Sequence, residues 1–150
     1  MKIKIALGLI LVFAVMQVFT IEKIPFEEPN ENDFFALEKP DEKVGLLLKT
    51  ICYDCHSNQV SYPWYSNVAP VSWWLNDHID EGREHLNFSE WGNYKKDKKE
   101  HKAEEAWEEV KEREMPLKSY TFIHRDANLS EEQRDLLVTY FKSIQESYRD

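Results

Sequence analysis

Cysteine, glycine and methionine are all scarce in this 150-residue chain. Cysteine appears only at Cys52 and Cys55, so one close thiol pair is all that a metal or redox site has to draw on. Four glycines argue against a loop-rich β fold, and no stretch alternates convincingly between apolar and polar residues. Beyond the N-terminal segment the only methionine is Met115. Positive charge is also short: 19 Lys and Arg face 28 Asp and Glu, a formal charge of −9. A surface this acidic repels nucleic acid and anionic lipid, and any protein partner it favours is basic. No internal repeat is visible.

The N-terminus has the opposite character. Lys2 and Lys4 precede "IALGLILVFAVMQVFTI" (Ile5 to Ile21), which carries no charge. This is the layout of an export signal. Its exit, Val18-Phe19-Thr20-Ile21-Glu22, lacks the small residues that signal cleavage needs, so an uncleaved anchor is expected over residues 1–21. The preceding lysines keep the N-terminus cytoplasmic and send the remainder across the membrane. In a bacterium that means an inner-membrane anchor with its domain in the periplasm.

Residues 22–40, "EKIPFEEPNENDFFALEKP", read as an irregular acidic linker, with Phe34-Phe35 as the part that docks on the domain. The domain itself is expected over residues 41–150. Asp41 is an N-cap, followed by Val44, Leu47, Leu48 and Ile51 at helical spacing, so one amphipathic helix leads directly into Cys52. After an aromatic loop, Pro70 opens a second helix with a stripe of Val71, Trp74, His78 and Ile79. A third spans about Asp97 to Arg113 on Ala103, Ala106, Trp107 and Val110. "EMPLKSYTFIHRDAN" reads as a loop, because Pro116 ends the helix before it. Ser130 and Gln133 form a capping box for the last helix, with Leu136, Leu137, Tyr140, Phe141 and Ile144 on its apolar face. The fold class is all-α.

The stretch "ICYDCHSN" carries the chemistry. A structural zinc wants four ligands, commonly two close pairs, and no histidine pair spaced H-x₃₋₅-H accompanies this one. A thioredoxin-type thiol pair follows a strand, whereas this pair follows a helix. A plain disulfide is the simplest alternative in an exported protein. Attachment of a c-type haem uses every position: two thiols for two vinyl groups and the adjacent histidine for the iron. It also requires export, which the N-terminus supplies. The candidate site is therefore Cys52, Cys55 and His56, holding one covalent haem c.

Met115, in a loop before Pro116, is the candidate for the opposite axial position. His78 and His124 are the alternatives, as iron ligands, as partners of a haem propionate, or as hydrogen-bonded packing residues. Five tryptophans and several tyrosines supply apolar surface, mostly for a core and partly for a porphyrin.

The order of these stretches resembles a class I cytochrome c in outline. More closely, the chain resembles a bacterial haem-binding domain family whose members carry an N-terminal hydrophobic segment and four motifs: "C-x-x-C-H-S-N", "Y-P-W-Y", "H-I-x-E-G-R-x-H-L-N-F-S-x-W" and "M-P". Here these are Cys52 to Asn58, Tyr62 to Tyr65, His78 to Trp91, and Met115-Pro116. The resemblance implies a cytochrome c-like helical domain, covalent attachment at Cys52 and Cys55, and axial ligation by His56. Ligation by Met115 follows from analogy with class I cytochromes. The expected function is single-electron transfer by a membrane-anchored monohaem protein, not an enzyme, with a redox protein as partner. A haem-based redox or gas sensor, or a peroxidase-like protein with an open sixth site, is the alternative.

Overall fold

Apolar periodicity and side-chain caps turn this sequence into helices joined by short turns. The computed structural model describes residues 1–149, and no strand occurs among them. Eight α-helices follow in order: α1 (Lys2–Met16), α2 (Phe34–Glu38), α3 (Glu42–Ile51), α4 (Tyr53–His56), α5 (Val71–His85), α6 (Lys96–Glu112), α7 (Lys118–Ile123) and α8 (Glu131–Tyr148). Three 3-10 turns lie between them, at Trp64–Asn67, Phe88–Asn93 and Arg125–Ala127.

The caps explain several boundaries. Asp41 Oδ1 accepts the amides of Lys43 and Val44 at 2.9 and 3.0 Å, which starts α3. At α8 the Ser130–Gln133 capping box forms in both directions. Arg113 ends α6 in the left-handed region at φ 66°.

The main core joins α2, α3, α6 and α8. Ala103 and Val110 of α6 face Leu137, Phe141 and Ile144 of α8, two helices that pack along their lengths. Phe34 is fully buried, with its ring 5.0 Å from both Phe88 and Trp91 in edge-on contacts. The 22–40 segment thus docks through Phe34, which is a central core residue, and Asp33 beside it accepts the Tyr53 hydroxyl at 3.0 Å. Burying such a ring is worth about 2–3 kcal/mol. A second cluster, Val60, Tyr65, Leu75 and Ile79, packs under the aromatic loop.

Three expectations need correction. The stretch after Met115 is not all loop: α7 and a 3-10 turn occupy residues 118–127, since Pro116 stops α6 but leaves the chain free to begin again two residues on. On α5 the buried face is Ser72, Leu75, Ile79 and Gly82, while Val71 and Trp74 are 39% and 40% exposed. The apolar stripe was read one position early, because small Ser72 and Gly82 face the domain where α5 comes close. Among the tryptophans only Trp91 is fully buried, and Trp64 is 79% exposed.

Helix α1 has no buried residue. Its exit is tied to the domain: the Gln17 side chain pairs with both backbone groups of Ala69 at 3.0 and 3.1 Å, and Trp73 Nε1 donates to Phe19 O at 2.7 Å. Among the described residues no helix is long and apolar enough to cross a membrane. Fifteen residues of helix rise about 22 Å against a hydrocarbon core of about 30 Å.

Candidate functional site

The two cysteines lie where α3 gives way to the single turn α4, and His56 ends that turn. The turn is gripped from every side. Asp54, between the cysteines, accepts the Ser61 amide at 3.1 Å and the Tyr120 hydroxyl at 3.0 Å. Tyr53 stacks on Phe88 with ring centroids 5.2 Å apart. Ser57 Oγ donates back to Tyr53 O at 2.7 Å, closing the turn. Asn58 Oδ1 accepts from Arg83 at 2.8 Å and from Asn87 Nδ2 at 2.9 Å, and the Asn58 amide donates to Ser89 Oγ at 3.1 Å. Gly82, Arg83, Asn87, Phe88 and Ser89 therefore share one purpose, which is to hold the Cys52–Asn58 turn in place.

Gly82 is the closest of these neighbours. A Cβ there would stand 2.7 Å from Cys55 O, so only glycine lets α5 approach. The approach places carbonyls of α5 and of its C-cap on the histidine: His56 Nδ1 lies 2.8 Å from Gly82 O and 3.1 Å from Leu86 O. Carbonyls only accept, so Nδ1 carries the proton and donates. Burial holds the His56 pKa below its ordinary value, against the opposing pull of those two bonds. The ring is then neutral, with its lone pair on Nε2, the nitrogen that points away from α5. A carbonyl on the far nitrogen is the usual support of a metal-binding histidine.

A cavity of about 460 Å³ opens beside this ring. Cys52, Cys55, His56 and Met115 all line it, as do Phe88, Tyr120, Leu137 and Phe141. Its size falls within the range of cofactor pockets, and its lining is predominantly apolar. Both thiols are free. Burial, assisted by the neighbouring Cys55, pushes the Cys52 thiol up to about 12, and burial with the Asp54 charge raises Cys55 to about 11. Thiols held protonated like this are the opposite of a low-pKa exchange pair, which disfavours the thioredoxin reading. No group of three or more His, Cys, Asp or Glu side chains is placed to hold a metal ion among the described residues, which weighs equally against zinc.

Met115 reaches the cavity from the segment between α6 and α7. Its amide donates to Glu109 O at 3.1 Å, and its carbonyl accepts from Arg134 Nη1 at 3.2 Å. Arg134 reaches across from α8 and also donates to Val110 O, so it pins the end of α6 and the start of the Met115 loop together. His78 lines the same cavity, with Nδ1 2.8 Å from Trp74 O. It belongs to α5, the helix whose Gly82 carbonyl holds His56 Nδ1. His124 is elsewhere: its Nε2 is 2.6 Å from the Tyr65 hydroxyl, its ring stacks on Tyr120, and it is not part of the cavity lining.

Sequence reasoning missed several lining residues. His85 lies seven positions after His78 on the same face of α5, a spacing that two helical turns bring into line. Glu81, Lys102, Glu105 and Glu109 also line the cavity, and nothing in their local sequence separates them from solvated charge. No tryptophan lines it, contrary to expectation; phenylalanine and tyrosine provide the aromatic wall.

The donor set, the locked imidazole tautomer and the close-packed Gly82 together fit a haem. The model of the haem-binding domain family matches residues 11–143. The chain belongs to that family, and it is a haem-binding protein. No curated protein and no solved structure matches it.

Proposed function

We propose that the protein is a membrane-tethered monohaem c-type cytochrome that transfers single electrons. One observation carries this reading: Cys52, Cys55, His56 and Met115, separated by up to 63 positions in sequence, line a single cavity with His56 already in the tautomer that binds iron. Cys52 and Cys55 would hold the haem through thioether bonds, and His56 Nε2 and Met115 Sδ would bind its iron. A bound haem iron supplies reversible one-electron chemistry, and His/Met ligation leaves no position for substrate.

The chain's own residues contribute placement and dryness. α5 and its C-cap Leu86 fix the His56 ring through two hydrogen bonds, Arg134 holds the Met115 loop, and Phe88, Leu137 and Phe141 give the cavity apolar walls. Glu81, Glu105 and Glu109 on its walls add to the overall charge of −9, which favours a basic redox partner. The segment Ile5 to Ile21 supports a tether: α1 is apolar, buries nothing in the domain, and is joined firmly to it at Gln17 and Phe19. Where the whole apolar segment Ile5 to Ile21, longer than α1 itself, crosses the membrane, the lysines before it put the domain in the periplasm.

Co-expression with haem-attachment machinery tests the reading directly. A haem-peroxidase stain after denaturing electrophoresis should mark the wild type and not a Cys52→Ser/Cys55→Ser variant. The reduced protein should bind carbon monoxide slowly or not at all. Rapid binding would reveal an open sixth position and favour sensing or peroxidase-like chemistry.

A further inference from the structure

We infer that Lys102 is the anchor for a haem propionate, an inference that rests on the haem reading above. The charged residues lining the cavity are three glutamates, Glu81, Glu105 and Glu109, and one lysine, Lys102. A haem brings two more carboxylates into this acidic surround. Each must meet a cation, meet a neutral donor or reach water, since like charges close together in a partly desolvated site repel.

Lys102 is unusual among the surface charges of α6. Its side chain is only 13% exposed, and its ammonium is 2.6 Å from Glu105 Oε2. Glu105, by contrast, is 42% exposed and has a second partner, because His101 Nε2 stands 3.2 Å from its other oxygen. The ammonium can therefore add or exchange a carboxylate while Glu105 keeps its contact with His101. Ordering a lysine against an apolar wall costs side-chain entropy and desolvation. Here the Glu105 pair already holds it in place before any ligand arrives. Besides His56, the other nitrogen-bearing side chains on the cavity wall are His78 and His85, and both belong to α5. Lys102, on α6, is the one lysine or arginine lining the cavity among the described residues, and so the group that receives a carboxylate.

A cycle between side chain and porphyrin tests this without any measurement of electron transfer. In the full-length chain carrying Cys52→Ala and Cys55→Ala, haem binding is reversible and can be titrated by absorbance against haem dimethyl ester, which lacks the propionate charges. With Lys102 present, haem should bind about tenfold more tightly than its ester, the lower end for a hydrogen bond to a charged group. Lys102→Gln should bring the two affinities together, and Lys102→Arg should retain most of the preference. A preference that persists in Lys102→Gln, or is missing from the Lys102 chain, overturns the inference. If the cysteine-free chain takes up neither porphyrin, the covalently matured protein decides the matter. There Lys102→Gln should lower the midpoint potential, whereas Lys99→Gln should not, because the Lys99 ammonium lies over Trp91 and Tyr148 rather than in the cavity. Equal potentials in those two variants overturn the inference as well. Matured wild type that carries no haem would instead refute the function proposed above.

Discussion

Replacing Gly82 with alanine isolates the contact on which the site depends. The new Cβ would stand 2.7 Å from Cys55 O and 3.3 Å from Cys55 C, both backbone atoms, and ordinary contact begins only at 3.4 Å. Either α5 or the Cys52–His56 turn must retreat by about 0.7 Å, and forced overpacking of this kind costs about 1–3 kcal/mol. Alanine returns about 1 kcal/mol through helix propensity. Retreat also stretches the 2.8 Å bond from His56 to Gly82 O, a loss of about 1 kcal/mol, softened because Leu86 O stays within reach at 3.1 Å. The net expectation is a loss of about 1–2 kcal/mol, or about 3–6 °C in Tm for a chain of this size. Gly45→Ala is the control. It has the same propensity gain, but its Cβ meets a Phe35 ring atom at 3.0 Å, and a ring can turn aside where backbone cannot. Thermal melts of the two variants, with the fraction of protein carrying haem, make the comparison. If Gly82→Ala melts with the wild type and takes up haem normally, the close approach of α5 is not what sets the His56 geometry.

Met115→Ala should abolish the weak far-red charge-transfer band of thioether-ligated iron(III) and lower the reduction potential, while the haem stays attached; an unchanged spectrum would remove Met115 from the site. Arg134→Gln should weaken the same band through the Met115 carbonyl and the end of α6, and Arg134→Lys should restore part of it; a stability loss with the band intact would limit Arg134 to a structural role. His124→Ala should keep the band and cost about 1 kcal/mol, since that ring bonds Tyr65 rather than the cavity. In the haem-free protein, burial lowers the native pKa of His56, so the unfolded chain takes up a proton near its ordinary 6.5 that the native state refuses. Stability should therefore decline as pH falls from 7.5 to 5.5, and His56→Asn should flatten that decline in denaturant melts. Phe34→Ala should cost about 3–5 kcal/mol, because the ring is fully buried among Phe88, Trp91 and Phe141; a loss under 1 kcal/mol would show the segment before α3 to be dispensable.

Much of the helical framework was legible because its causes are short-range. Asp41 and Ser130 cap helices through residues two or three positions away, and the spacing of Val44, Leu47, Leu48 and Ile51 is a local pattern. The apolar stripe of α5 was not legible in the same way. Ser72 and Gly82 look neutral in sequence and become interior only because α5 presses against α4 and the turn at residues 64–67. Phe34 was recognisable as a docking residue; its place at the centre of the core required α8 and the turn at residues 88–93 to close over it.

For the site, sequence alone determined the pair of thiols, the adjacent histidine and the lone methionine beyond the N-terminal segment, because chemistry of this kind is written in residue type and spacing. Tertiary structure decided which of these groups meet. It brought Met115 to the cavity, left His124 outside with Tyr65, and set His78 on the helix whose carbonyl holds His56 Nδ1. It also chose the tautomer of His56, through two carbonyls 26 and 30 positions away in the chain. The physical reason is the same in each case: spacing specifies what a residue can do, whereas burial and hydrogen-bond partners depend on elements far along the chain that only packing brings together.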